Sequence, residues 1–217
     1  MEKKKQKKVQ GKKKISKQEQ KQNNILKNVL LICGIVIVLI VFLYGYAQSQ
    51  IHFNYEGIEF EAVNVGNSDN PLLMYETRTL LPSNEGAPFG FRLRTKPSEL
   101  KRVEFENLEN FELMKINGYQ YKDGNFNCEG YGLIAIENLK RTFEKMGTPL
   151  VFDENETCDE EGRYNYFYLV YGDKTEIKEI GNHCYELVIE GNDESCEILE
   201  ATEKLMVEVF VKYKDLD

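Results

Sequence analysis

Between Asn28 and Tyr55 the chain carries no charged side chain, a gap of twenty-eight residues in a sequence that is 29% charged. The signatures of the commonest chemistries are missing as well. There is no Gly-rich phosphate cradle, no G-x-S-x-G elbow and no H-E-x-x-H pair, so the usual motif-borne routes to phosphoryl transfer, serine hydrolysis and zinc hydrolysis are absent. No two cysteines stand at the C-x-x-C spacing of zinc sites. Histidine occurs only as His52 and His183. His183 adjoins Cys184, and strand neighbours point to opposite faces, so the two do not form a nucleophile pair. No catalytic, cofactor-binding or metal-ligating residue stands out.

What fills the uncharged gap is oil. Val29 to Ala47 is nineteen residues long and apolar on every face. A helix needs about 20 such residues to cross a bilayer core, because in lipid a helix satisfies its own backbone groups. Signal-peptide apolar regions run to about 7–15 residues, and a buried core helix shows a polar stripe. The stretch 28–47 therefore reads as a retained transmembrane helix and signal-anchor. Residues 1–27 hold eleven lysines against Glu2 and Glu19, a net of +9. The rest of the chain holds 17 basic and 34 acidic residues, a net of −17, and its first cation is Arg78. By the positive-inside rule the N-terminus is cytoplasmic and the large acidic part lies outside. Tyr44 and Tyr46 fit the interfacial aromatic belt at the far end.

The tail 1–27 is Lys/Gln/Asn-rich with few apolar residues, so it reads as disordered. Its lysines suit anionic lipid heads, at roughly 1 kcal/mol each. It lacks the interleaved aromatics that stack RNA bases, and the acidic remainder repels phosphate, so no nucleic-acid partner is expected.

Cys33 lies in the span and reads as a small apolar residue. Cys128, Cys158, Cys184 and Cys196 all fall in the outside part, where an even count favours two disulfides with three connectivities. Chain order alone favours Cys158–Cys184 and Cys128–Cys196. Asn155-Glu-Thr157 is the one N-x-S/T sequon, placing a candidate glycan on Asn155.

Beyond the span, 51–127 reads as β-rich. A hairpin over Ile51–Val63 turns near Glu56-Gly57, strands follow at 72–81 and 89–94, and Thr95 caps a helical turn before Leu100. Strands at 103–105 and 111–116 lead into a Gly/Asn-rich connection over 117–130. In 128–217 the period changes. Ile136, Leu139, Phe143 and Met146 mark one helix face, stopped by Gly147 and Pro149. Leu150–Phe152 is a short strand, and 153–162 an acidic loop. Strands at 164–171, 175–180 and 183–190 read as a three-stranded meander, and a closing helix runs from about Ser195 to Tyr213. Its exposed side is supported by Glu200–Lys204 and Glu208–Lys212. The class is α+β: an N-terminal transmembrane helix, then an extracytoplasmic antiparallel sheet with two packed helices.

Several stretches carry a resemblance: Phe91-Arg-Leu-Arg-Thr-Lys-Pro-Ser-Glu-Leu100, the helix from Ile134 to Met146, Gly181-Asn-His-Cys-Tyr185 and Glu197-Ile-Leu-Glu-Ala-Thr-Glu-Lys-Leu205. In these the chain resembles uncharacterised archaeal single-pass membrane proteins. The resemblance implies an extracytoplasmic domain on an N-terminal anchor, and no activity.

Three local features invite chemistry. Asp153, Asn155, Thr157 and Asp159 alternate as in a calcium loop, but Cys158 and Tyr164 stand where that loop needs Gly and Glu. A solvated loop is the expectation. The strand Tyr164–Tyr171 is tyrosine-rich enough for a sugar or peptide platform, although aromatic strands more often build core. Thirty-four acids offer many carboxylate pairs for hydrolysis and single out none. The function expected is binding or structural, at the lipid bilayer and within a membrane or cell-surface complex, not enzymatic. The alternatives are a carboxylate-dependent hydrolase and a pilin-like subunit, the latter lacking a processing site against its apolar run.

Overall fold

In the computed structural model, residues 17–67, 71–83, 86–155 and 157–214 are described. The chain divides into two compact units, Met1–Ser49 and Gln50–Asp217. The first contains almost all of one helix, α1 (Lys17–Ile51). Residues 22–47 are exposed, and Gln22–Ser49 is long and apolar enough to cross a membrane by length and composition. Expected disorder fails for 17–27, which are helical. Lys and Gln are good helix formers, and once the apolar run has formed the costly first turn, extension through them is cheap. The expectation for 1–16 lies outside the described residues.

The second unit begins with β1 (His52–Tyr55), β2 (Ile58–Val65), β3 (Leu72–Thr77), β4 (Leu81–Pro82), β5 (Pro88–Phe89) and β6 (Arg92–Leu93). β1 and β2 form the expected hairpin. Glu56 and Gly57 both take positive φ, 50° and 76°, the geometry that matches a tight turn to strand twist. Among the described residues β1-β2-β3-β6 is a four-stranded antiparallel sheet and β4-β5 a separate pair. The single strand expected at 89–94 is thus two short pieces.

Next come β7 (Glu104–Phe105), β8 (Asn117–Tyr121), α2 (Tyr131–Lys145), β9 (Leu150–Phe152), β10 (Asn165–Gly172), β11 (Glu176–Gly181), β12 (Cys184–Glu190) and α3 (Ile198–Lys214). The larger sheet has the order β7-β11-β12-β10-β8-β9. It is not the antiparallel sheet expected: only β11–β12 run antiparallel, and the other four pairs are parallel. Nor is there a meander, because β12 lies between β10 and β11. Stepping over one strand spans about 10 Å, within reach of the three linking residues 173–175.

β8 replaces part of the connection expected at 117–130, and 111–116 is not a strand. The strand was hidden because Asn117 and Gly118 look like turn residues. Asn117 is buried and gives its amide to Met114 O at 3.2 Å and Thr148 O at 3.0 Å. Gly118 leaves room for the Tyr166 ring, 2.6 Å from where a Cβ would sit. β8–α2–β9 is then a parallel pair joined by a helix. Since β7 and β8 belong to the larger sheet, 51–127 and 128–217 interleave within one compact unit.

α3 differs most from expectation. It starts at Ile198, and from Ala201 to Phe210 every residue is buried. It has no exposed side there. Its partners are α2, β12 and the Phe89–Phe91 segment, whose rings meet Phe210 at 5.6 and 4.9 Å. A helix surrounded on all faces must be apolar nearly all round, and Leu205, Met206, Val207, Val209 and Phe210 supply this. Each such side chain contributes roughly 1.5–3 kcal/mol. Lys204 and Glu208 are buried too and pair with each other at 2.5 Å. Glu200 instead meets Arg102, and Lys212 Nζ donates to Glu109 O.

Candidate functional site

One groove of the domain has a wall from α2. Asn138, Arg141, Thr142 and Lys145 recur at three- and four-residue steps, so they share a face. The helix buries Ile136, Leu139 and Phe143 on its other side. The opposite wall is Phe89–Arg92, strapped to β3. Thr77 N donates to Phe91 O at 3.0 Å, and Phe91 N donates to Thr77 Oγ1 at 2.9 Å. Gly90 permits this approach, since a Cβ there would collide with the Thr77 hydroxyl. Met74 and Glu76 from β3 and Met206 from α3 complete a groove of about 430 Å³.

Its lining is apolar below and charged above. Phe89, Phe91, Met74 and Met206 supply the apolar part, and Arg92, Arg141, Lys145 and Glu76 the charged part. Arg92 donates from Nε and Nη2 to Glu76 Oε1, at 3.2 and 3.0 Å. The Arg141 side chain is exposed and has no ion pair or hydrogen bond among the described residues. Arg141 thus stands without an anion in a chain that beyond residue 27 holds 34 acids against 17 bases. Sequence reasoning missed this groove. Arg141 and Lys145 lie on α2's polar face, and nothing in that periodicity distinguishes a site from a solvated surface.

A second cleft, about 300 Å³, is lined by Glu104, Glu190, Glu197 and Glu200 with Arg102, Lys174 and Thr175. Glu200 is held by Arg102, Glu104 by Lys174 at 2.9 Å, and Glu197 accepts from Thr175 Oγ1 at 3.2 Å. Glu203, which lies elsewhere, is the carboxylate that burial pushes up, to about 7. It accepts from Arg94 N at 2.6 Å and Thr95 N at 2.9 Å, so it fastens that segment to α3. Thr95 is therefore held by α3 and not in the capping role expected of it.

The cysteines form two pairs: Cys128 with Cys196, Cα atoms 5.1 Å apart, and Cys158 with Cys184, 5.5 Å apart. These are the pairs that chain order favours. Cys184 is thus no nucleophile, and Cys33 is the free cysteine. Asn155 is exposed, its N–H bonded to Asp153 Oδ1 at 2.8 Å. Asp159 is taken by Arg163, whose guanidinium holds the carboxyl below the usual carboxylate range. Among the described residues no three or more His, Cys, Asp or Glu side chains gather in metal-holding geometry.

The tyrosine strand is not an open platform. Tyr166 is fully buried, its hydroxyl donating to Asp153 O at 2.7 Å, and Cys158 N donates to Tyr168 OH at 3.3 Å. The acidic loop therefore closes over that face, held by the Cys158–Cys184 bond. His183, in the β11–β12 turn, lies with Nδ1 3.2 Å from Asn165 Oδ1. His52 is near Glu61 and Arg78. The two histidines belong to separate places.

No family model, curated protein or solved structure matches the chain.

Proposed function

We propose that this chain is a single-pass membrane protein that displays its acidic α+β domain outside the cytoplasmic membrane, where the domain works by binding a protein partner. The observation that carries this reading is the coincidence of sides. Eleven lysines precede the apolar run and no cation follows it until Arg78, while all four paired cysteines lie beyond it. Thiol pairs persist in oxidising compartments and are kept reduced in the cytosol. The resemblance to archaeal single-pass membrane proteins agrees with this placement. Binding is favoured over catalysis because Glu104, Glu197 and Glu200 of the acid-lined cleft are each tied to a cation or a hydroxyl, which leaves Glu190 without a second free carboxylate for paired acid–base work. The carboxylate with the raised pKa is enclosed, away from that cleft.

The test is thiol state in cells. After acid quenching and alkylation without reductant, the four domain cysteines should stay unlabelled and Cys33 alone should react under denaturing conditions. Labelling of all five in freshly quenched cells would contradict the placement.

A further inference from the structure

The groove of the proposed binding domain adjoins an open strand edge. β6 pairs with β3 only at Tyr75 and Glu76. Leu72, Leu73 and Met74 pair with β2 on one side and have no strand on the other among the described residues. In an antiparallel strand the backbone groups of alternate residues point to the same side. Thr77 N bonds toward the β6 side, so Leu73, four residues earlier, points its N–H and C=O to that side as well. An unpaired edge of this kind is a template for an added strand. Leu72 and Leu73 are exposed, and Met74 is shared between the open edge and the groove.

Charge selects the occupant. An apolar floor accepts apolar side chains, while Arg141, which has no ion pair, attracts acids. We infer that the groove and the β3 edge together bind an extended segment of a partner protein in which apolar and acidic residues alternate. The added strand hydrogen-bonds to Leu73, its apolar side chains lie over Phe89 and Met74, and its carboxylates meet Arg141. This rests on the reading that the domain works by binding, but it does not depend on the side of the membrane. Reactive domain thiols would sink the display and leave this measurement standing.

The experiment uses the full chain in detergent micelles and fluorescence anisotropy. The probes are a fluorescein-labelled hexapeptide of alternating valine and glutamate, its counterpart with lysine for glutamate, and a backbone N-methylated version of the first. The glutamate peptide should bind at least tenfold tighter than the other two, and weaken as salt is raised. Arg141→Glu should lower its affinity about tenfold or more and Arg141→Gln by less, with the melting temperature unchanged at this exposed site. Of the backbone donors of β3, Leu73→Pro removes the outward one and should also weaken binding. If the variant fails to fold, the N-methylated peptide tests the same contact. Equal binding of the glutamate and lysine peptides, or indifference to Arg141→Glu, overturns the proposal. So does laurate binding in the groove where the peptides do not, which would point to lipid. Self-association abolished by Arg141→Glu, without peptide binding, would overturn it in favour of a second copy of the chain.

Discussion

The two larger sheets of the domain are built on opposite principles. The four-stranded sheet grows from neighbours in sequence: β1 turns directly into β2, β2 pairs with β3, and every pair is antiparallel. No disulfide touches it. The six-stranded sheet draws β7 and β8 from one half of the domain and β9 to β12 from the other, mostly in parallel. Such pairs close long loops, and their entropy cost is met by fixed long-range links. Both disulfides are found here: Cys184 begins β12, Cys158 anchors the loop over its face, and Cys128–Cys196 joins the approach to α2 with that to α3. Covalent ties thus sit where the topology is least local, and α3 is the helix common to both regions.

The comparison breaks most severely when the ties are cut. Replacing Cys128 and Cys196 together by serine frees a 68-residue separation, and Cys158 with Cys184 one of 26. Loop entropy puts these at about 4 and ~3.5 kcal/mol. Hydrogen exchange should show protection falling in β8, β10 and β12 before it falls in β2 and β3. Loss in the opposite order would mean that the smaller sheet is the weaker region. Next in size is Lys204→Ala, which leaves Glu208 buried without its cation, at roughly 3–5 kcal/mol. Urea unfolding of this variant should weaken both sheets alike, since α3 serves both.

Glu203 gives a smaller effect with a definite sign. Unfolded, its carboxyl loses its proton near the ordinary value of 4.5; folded, burial delays this to about 7. The protonated form's contribution is complete below about pH 4.5 and is lost as pH rises through 7, a swing of roughly 3 kcal/mol. Asp159 and Glu176, whose pKa values are lowered, act the other way, losing stability on acidification below their ordinary values. Between pH 5 and 7.5 the urea midpoint should therefore fall, and in Glu203→Gln this fall should flatten. Smallest is Arg92→Ala in the groove lining, where the exposed Arg92 pairs with Glu76. An exposed pair contributes under about 1 kcal/mol, so thermal unfolding should barely move.

The contrast also explains which parts of the fold could be read from sequence. Elements defined by local pattern were legible: the Glu56-Gly57 hairpin, the α2 face of Ile136, Leu139 and Phe143, and the apolar stretch of α1. What pattern cannot carry is which strand lies beside which. β10, β11 and β12 read as a meander because the short link at 173–175 is the same whether the chain turns to its neighbour or steps over one. β8 was hidden by Asn117 and Gly118, whose reasons are tertiary, a buried amide and an overlying ring. α3 misled because Lys204 and Glu208 at four-residue spacing look like a surface pair, and only three-dimensional packing places them inside. The groove assembles from β3, the Phe89–Arg92 segment, α2 and α3, so its composition existed in no single stretch.

Protease added to intact cells expressing the chain with an N-terminal epitope tests the sidedness on which the proposed display depends. The account predicts that the acidic domain is digested from outside while a tagged, lysine-rich fragment of the N-terminus survives within. A domain left whole in intact cells, yet cut by the same protease in lysed cells where detergent has opened the membrane, would contradict it.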